Sequence, residues 1–265
     1  MTLTGWTLPQ TASGRSASVP APPWHYSGDV IAVDFMADPA RVAELAPPGF
    51  EPRGDGACSF FFCDWASAAE RDPRVKADPA KGQYKEAYLV LHGRFDDRPA
   101  GRVPYIWVDS ELSLLRGLIQ GFPKKLGDVH MTRAVELGRG GARKAPGERF
   151  AAHVSSLGRR LATASVTLED TPTGVFPGGG GGPLVHTRLW PSLEGDTPAV
   201  HELSFVSVCD VEFGTFWRGR AELELGASEF EELDLLAPRS VGPGWVYPMA
   251  FSVTGGKTLP LGERR

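Results

Sequence analysis

Residues 109–127 have the sequence Asp109-Ser-Glu-Leu-Ser-Leu-Leu-Arg-Gly-Leu-Ile-Gln-Gly-Phe-Pro-Lys-Lys-Leu-Gly127. Apolar residues recur in it at helical spacing, at Leu112, Leu115, Leu118 and Ile119. Asp109 or Ser110 can cap the first turn of a helix, and Gly121 is placed to end it in a left-handed turn. Pro123 then prevents the helix from continuing. The stretch therefore predicts a short amphipathic helix and a sharp exit that carries two adjacent lysines.

These lysines are Lys124 and Lys125, and one of them is a candidate catalytic amine. A free lysine with a pKa of about 10.4 is neutral in only about one molecule in 2,500 at pH 7, and the end of a helix favours the charged form. Burial and a neighbouring positive charge can each lower the pKa. Phe122, Leu126 and the apolar helix face offer burial, and the second lysine offers the charge. The alternative is a solvated surface pair, because lysine is seldom buried.

The segment Gly121-Phe-Pro-Lys-Lys-Leu-Gly127 resembles the lysine motif of the acetoacetate decarboxylase superfamily, in which the first lysine forms a Schiff base with a keto acid. That enzyme is itself the general example of a lysine activated by a neighbouring cation. Weaker similarity covers most of the chain. Residues 34–50 resemble the family's early helix and the strand after it, and residues 201–211 and 217–225 resemble its late strands. The resemblance implies that Lys124 is the Schiff-base lysine.

The resemblance also implies a fold and an assembly. The expected fold is mainly β: a large closed, cone-like antiparallel β-barrel with a few peripheral helices and the lysine in its interior. Such an interior supplies the burial that a surface helix lacks. We expect residues 1–23 to form an extended N-terminal arm and residues 24–265 a single domain of this type. Members of the family are usually homo-oligomers, so a homo-oligomer is expected here.

Alternation of apolar and polar residues between glycine, proline or charged turns independently predicts many strands and few helices. The predicted strands cover residues 26–35, 57–65, 84–95, 102–109, 130–135, 149–154, 160–168, 184–190, 200–213 and 218–225. A short helix is predicted at residues 39–45, and a loop or helical excursion at 69–81. The tract Gly178–Gly182 is followed by no Gly-Lys-Ser or Gly-Lys-Thr, so it is interpreted as a flexible linker and not a phosphate loop.

Composition excludes several classes of function. The 265 residues carry a net charge of -4 with a pI near 5.9, which leaves no basic footprint for nucleic acid. No apolar run is long enough to span a membrane and no signal peptide is evident, so a cytoplasmic protein without membrane contact is expected. Cys58, Cys63 and Cys209 are odd in number and lack metal-binding spacing, which favours reduced thiols. We predict neither a metal nor an organic cofactor, because a lysine imine is itself an electron sink.

The decarboxylases of the family pair their lysine with an arginine and two glutamates. The resemblance places the second glutamate at Glu86, whose alternative role is an exposed carboxylate at a strand end. The place of the first glutamate is taken by Phe61, and the place of the arginine by Gly28. The family's Gly-Arg-Glu within the helix becomes Arg116-Gly-Leu here. These departures favour the divergent members that act on pyruvate-like 2-oxo acids as aldolase-dehydratases.

Other residues are assigned candidate roles in that reaction. Gln120 lies four residues before Lys124 and can bind a substrate carboxylate or the carbinolamine. Tyr247 and Tyr84 are candidate general acids for a dehydration, although both are equally ordinary packing residues. The candidate substrate-binding residues are Tyr84, Phe61, Phe122 and Arg116.

The chemistry of a lysine imine leaves three functions open. With a 2-oxo acid such as pyruvate, loss of the C3 proton gives an enamine that can add to an aldehyde, and the adduct can dehydrate. With a 3-oxo acid such as acetoacetate, decarboxylation gives the enamine directly, and Arg102, Arg116 or Arg188 would then replace the missing arginine. A barrel that binds a keto acid without turnover is the third reading. A second group that moves protons, such as Glu86, distinguishes an enzyme from that binding protein.

Overall fold

The computed structural model describes residues 2–172, 177 and 182–261, and within them the chain is mainly β. Its helices are α1 (Pro39–Glu44), α2 (Arg74–Ala77), α3 (Pro79–Gly82) and α4 (Glu111–Gln120), followed later by one 3-10 turn (Leu233–Leu236). None of these helices has the length and hydropathy needed to cross a membrane. The predicted fold class, mainly β with few helices, is confirmed.

Each predicted strand overlaps an observed one, with ends that differ by a few residues. The observed strands are β1 (Trp24–Met36), β2 (Phe50–Pro52), β3 (Ala57–Ala69), β4 (Gln83–Phe95), β5 (Arg98–Val108), β6 (Lys124–Leu126), β7 (Asp128–Met131), β8 (Arg149–Ser156), β9 (Arg159–Asp170), β10 (Val185–Trp190), β11 (Val200–Phe213), β12 (Trp217–Leu225) and β13 (Ser240–Pro260). The tract 178–182, which we expected to be a linker, lies outside the described residues apart from Gly182.

All thirteen strands belong to one sheet, whose main path runs β6-β5-β4-β3-β1-β13-β12-β9-β8-β7. β11 pairs with β13, β10 with β11 and β2 with β4, and among the strands of the described residues the β5–β6 pair alone is parallel. The longest strand, β13, bonds to β1, β11 and β12 and so connects the two halves of the sheet. Sequence patterning missed this strand, because Pro243, Pro248 and several glycines interrupt its alternation.

The sheet is curled but not closed, which corrects the closed barrel implied by the resemblance. No ladder among the described residues joins the end strands β6 and β7. These strands nevertheless follow one another in the chain with only Gly127 between them. A Cβ at Gly127 would lie 2.9 Å from Trp107 of β5 and 3.0 Å from the Ser155 carbonyl oxygen of β8. The two edges therefore meet at a glycine, where a larger residue would push them apart.

Alternation along the strands gives the sheet two buried faces. On β4, Ala87, Leu89 and Leu91 pack into one apolar core, together with alternate residues of β1 and β3. Tyr84 and Val90 point to the opposite face and pack into a second core. This second face also receives helix α4, and it is the face on which the polar residues discussed below converge.

The N-terminal segment before β1 folds back on itself. The Thr7 hydroxyl donates to the Val19 carbonyl oxygen over 3.1 Å and accepts from the Val19 N–H over 2.9 Å. Val19 is fully buried, and Trp6 packs edge-on against Trp24 at the start of β1. The segment thus covers the edge of the second core.

Candidate active site

Helix α4 forms as the sequence predicts. The Ser110 hydroxyl caps it by accepting from the Ser113 N–H, and Gly121 ends it with φ of 93°. Its most buried residues, however, are Ser113, Arg116 and Gly117, while the leucines are only partly buried. The apolar residues Leu112, Leu114, Leu115 and Ile119 pack against the second core while staying partly exposed. The helix turns a stripe of polar and small residues toward the second core.

Lys124 and Lys125 point in opposite directions, because successive residues of a strand face opposite sides of the sheet. The Lys125 ammonium is 2.9 Å from the Glu231 carboxylate, and its side chain is 53% exposed. The Lys124 side chain turns inward across Gly117 and is 8% exposed. Lys125 therefore forms an ion pair outside the cavity. This corrects the expectation that its charge lowers the pKa of Lys124 within the site.

The Lys124 amine is held by two partners. Its Nζ donates to Glu86 Oε2 and to Ser113 Oγ, each over 2.9 Å. Glu86 is itself fixed from the other side, because Trp65 Nε1 donates to Glu86 Oε1 over 2.9 Å. The Glu86 side chain is 11% exposed. The structure thus joins Lys124 and Glu86 and shows that Glu86 is not an exposed carboxylate at a strand end.

Burial lowers the pKa of Lys124 below its ordinary value, and the neighbouring groups act in opposite directions. The Glu86 carboxylate raises the pKa, and the Arg116 guanidinium lowers it. Arg116 is 2% exposed, and its guanidinium lies 4.7 Å from the centre of the Tyr26 ring and 3.5 Å from the Tyr84 hydroxyl. The second positive charge that a neutral lysine needs therefore comes from Arg116 on the helix.

The amine opens onto a cavity of about 730 Å³. A carboxylate, an amide and an amine lie together in its wall, from Glu86, Gln120 and Lys124. Aromatic side chains surround them, namely Tyr26, Trp65, Tyr84, Tyr88, Phe122 and Phe251. The remaining wall comes largely from apolar residues of β11 and β13. The burial of Lys124 is therefore supplied by these rings and not by Leu126, which is exposed.

Gln120, Tyr84 and Phe122 line the cavity, as expected for residues that bind a ligand. The Gln120 amide donates to the Arg116 carbonyl oxygen over 3.0 Å, which fixes its orientation. Burial raises the pKa of Tyr84 well above its ordinary value, with Glu86 adding to the rise, so its hydroxyl keeps its proton. Tyr84 is thereby suited to donate a hydrogen bond and unsuited to release a proton.

Three predicted residues do not reach the cavity wall. Phe61 lies behind it, stacked on Tyr88 with ring centres 5.0 Å apart. Tyr247 packs against Phe216 with ring centres 4.6 Å apart, and burial raises its pKa well above its ordinary value. This corrects the expectation that Phe61, Tyr247 and the buried Arg116 contact the substrate directly. Arg102 and Arg188 also lie outside the cavity lining.

Sequence reasoning missed two residues that hold the site together, Ser113 and Trp65. Ser113 lies four residues before Gly117, so a stripe of polar and small residues at helical spacing was a signal for it. Trp65 had no such signal, because its partner Glu86 comes from a different strand. Gly28 lies beneath Trp65: a Cβ there would be 2.1 Å from the Asp64 carbonyl oxygen and 2.7 Å from the Trp65 ring. A side chain such as arginine therefore has no room at position 28.

Within the described residues, no group of three His, Cys, Asp or Glu side chains is arranged to hold a metal ion. Cys58 and Cys63 are free and buried, and Cys209 is free and partly exposed.

Comparisons with known proteins agree on one family. The sequence model of the family described as acetoacetate decarboxylase (ADC) matches residues 7–260. The enduracididine biosynthesis enzyme MppR, solved with the condensation product of pyruvate and imidazole 4-carboxaldehyde, is 36% identical to this chain over 98% of each chain, with a TM-score of 0.91. The same enzyme solved with pyruvate is 36% identical over 97% of this chain and 98% of that chain, with a TM-score of 0.90.

An acetoacetate decarboxylase-like enzyme from Sphingomonas wittichii RW1 is also similar. It is 29% identical over 97% of this chain and 100% of that chain, with a TM-score of 0.88. A comparison with curated protein sequences found no match. Each of the two enzymes therefore shares both the length and the fold of this chain.

Proposed function

Because this chain belongs to the acetoacetate decarboxylase family, we propose that it is a Schiff-base lyase that condenses a pyruvate-like 2-oxo acid with an aldehyde and dehydrates the adduct. The observation that carries the proposal is the buried Lys124 amine, whose pKa is lowered and whose Nζ lies 2.9 Å from Glu86 in the wall of a cavity. The pyruvate and the condensation product bound to MppR support this choice of substrates. A homo-oligomer and a cytoplasmic location stay predictions.

The first half of the reaction makes a carbon nucleophile. The neutral Lys124 amine adds to the ketone carbon of the 2-oxo acid, and loss of water leaves a protonated imine. The positive charge of the imine makes the C3 protons acidic, and Glu86 beside the nitrogen is the carboxylate placed to accept one of them. C3 is two bonds from the imine nitrogen and therefore within reach of Glu86, which removes a C3 proton and leaves the enamine. Arg116 stabilises the neutral amine, and the second N–H of Gln120 can donate to the substrate carboxylate.

The second half forms and then dehydrates the aldol. The enamine C3 attacks the aldehyde carbon, and Glu86 returns its proton to the aldehyde oxygen. Glu86 next removes one of the two protons left on C3 and delivers a proton to the departing hydroxyl, which leaves as water. Hydrolysis of the imine consumes one water and frees Lys124. In sum, pyruvate and an aldehyde give an unsaturated 2-oxo acid and one water, without oxidation, reduction or loss of carbon dioxide.

The experiment that tests this function compares wild-type protein with Glu86→Gln. Wild-type protein with pyruvate and benzaldehyde is expected to give a conjugated 2-oxo acid, identified by ultraviolet absorbance and mass, and no carbon dioxide. Glu86→Gln should still form a pyruvate adduct that borohydride reduces, while turnover falls roughly 10²- to 10⁴-fold for want of the base. Glu51→Gln changes an exposed carboxylate on β2 and is the matched control.

Each contrary result has a definite meaning. Carbon dioxide from acetoacetate, with no condensation product from pyruvate, would assign decarboxylation to the site. Reducible adducts without any product would leave a protein that binds keto acids. An undiminished rate in Glu86→Gln would remove Glu86 from the mechanism.

The pH dependence of adduct formation should report the charge of Arg116. Arg116 lowers the pKa of Lys124, so Arg116→Met should raise it. Imine formation needs the neutral amine, so its rate rises with pH through the pKa of Lys124. In Arg116→Met this rise should occur at higher pH than in the wild-type protein. The measurement is the rate of borohydride-trapped pyruvate adduct against pH. Lys125→Met removes a charge outside the cavity and should leave the pH dependence of the rate unchanged. A shift in Lys125→Met alone would mean that Lys125, and not Arg116, lowers the pKa of Lys124.

A further inference from the structure

The cavity has two chemically different ends. Its carboxylate, amide and amine come from β4, α4 and β6, as Glu86, Gln120 and Lys124. The side chains from β11 and β13 are all apolar: Val206, Val208, Val211 and Phe213 from the first, Met249, Phe251 and Val253 from the second. A charged group placed against the less exposed side chains Val206, Phe251 and Val253 would lose much of its water and meet no partner among them, which is costly.

The two ends are different parts of one cavity wall, built by different strands of the sheet. β3, β1 and β13 lie in order between β4 and β11 along the sheet, and β11 also contacts α4, where Ser204 Oγ donates to the Gln120 carbonyl oxygen over 2.7 Å. Tyr26 of β1 and Phe251 of β13 stack between the two ends, with ring centres 4.7 Å apart. A molecule bound covalently to Lys124 therefore lies beside aromatic rings, and the aliphatic side chains of β11 and β13 line much of the rest of the cavity.

The size of the cavity exceeds what a 2-oxo acid fills. Counting each of the six non-hydrogen atoms of pyruvate as one water-sized volume of about 30 Å³ gives about 180 Å³. That is about a quarter of the 730 Å³ available. The wall also reaches solvent, because Val208, Val211 and Phe213 line the cavity while 51%, 48% and 45% exposed. The unfilled part is thus lined largely by apolar side chains and reaches solvent at β11.

We infer that the second substrate is an uncharged aldehyde with an aromatic or branched aliphatic group, which lies along β11 and β13 while its carbonyl carbon faces the enamine on Lys124. The inference rests on the proposed condensation and narrows its aldehyde. The carbonyl end meets the polar groups, and the rest of the molecule removes apolar wall from water.

The test uses three aldehydes of similar size at saturating pyruvate: 4-isopropylbenzaldehyde, 4-carboxybenzaldehyde and 4-trimethylammoniobenzaldehyde. The wild-type protein should show kcat/KM at least tenfold higher for the isopropyl compound than for either charged one. Val206→Asp places a carboxylate in the wall and should raise the ratio of kcat/KM for the cationic aldehyde over the isopropyl one. Ser207→Asp adds the same charge to the next residue of β11, which is exposed and outside the cavity lining, and should leave the ratio unchanged.

Equal or better use of the charged aldehydes by wild-type protein would overturn the inference, whatever the variants do. So would a ratio that shifts equally in both aspartate variants. Borohydride trapping of pyruvate on the same samples keeps the two proposals apart. Absence of the pyruvate adduct would overturn the proposed function itself, whereas an adduct without preference among the aldehydes would overturn only this assignment of substrate.

Discussion

Lys124→Ala is expected to lose the borohydride-reduced pyruvate adduct entirely, and with it the condensation activity. Lys124 is the amine in the cavity wall, so no other described lysine is placed to replace it. Turnover should fall by at least about a thousandfold, because an intramolecular nucleophile in such a site has an effective concentration of roughly 10⁵ M or more. Intact-mass analysis after reduction measures the adduct, and absorbance of the unsaturated product measures the rate.

Lys125→Ala is the matched control, since it removes the same side chain from the adjacent position. Its ammonium binds Glu231, whose side chain is 4% exposed and also accepts from Trp107 Nε1 over 3.2 Å. The variant should keep the adduct and lose stability on the order of 1 kcal/mol, since Lys125 is half exposed and the pair is screened by solvent. Thermal unfolding measures that loss. An adduct that survives in Lys124→Ala and disappears in Lys125→Ala would move the reactive amine to Lys125.

Sequence patterning predicted the local structure around the lysines because the responsible interactions are local. A hydroxyl at Ser110 caps α4, and a glycine at 121 adopts the left-handed conformation that ends it. The strands with clean alternation were also predicted within a few residues. β13 was missed because its stability comes from pairing with β1, β11 and β12, and those partners are distant in sequence.

The site itself was predicted only in part, for a related reason. Lys124, Glu86 and Gln120 were identified from the motif and its resemblance to a family. Which way each lysine faces depends on the short strand β6, which forms only by pairing with β5. Arg116 supplies the second positive charge, and Trp65 fixes Glu86 through a hydrogen bond. Both arrangements depend on packing between elements, which no sequence period encodes. Tyr247 and Phe61 were assigned to the site because the sequence does not show which residues pack behind the cavity wall.

Gly117→Ala should separate the position of the lysine from the stability of the helix that carries it. A Cβ at residue 117 would lie 2.3 Å from Lys124 Cδ and 2.5 Å from Cε, closer than any real contact. The amine is held by Glu86 and Ser113, so its aliphatic chain must leave the observed path and carry Nζ away from them. We expect adduct formation to fall roughly 100-fold or more, as misplacement by about 1 Å does in other sites.

The same change should not unfold the protein, because alanine in place of glycine inside a helix favours the helix by about 1 kcal/mol. Gly54→Ala is the control, since a Cβ there has nothing within 4 Å. Loss of the adduct with unchanged or higher thermal stability would show that the glycine is kept for the passage of the lysine side chain. A wild-type rate in Gly117→Ala would mean that the reactive amine does not cross α4 at this residue, and the pairing of Lys124 with Glu86 would then lose its mechanistic meaning.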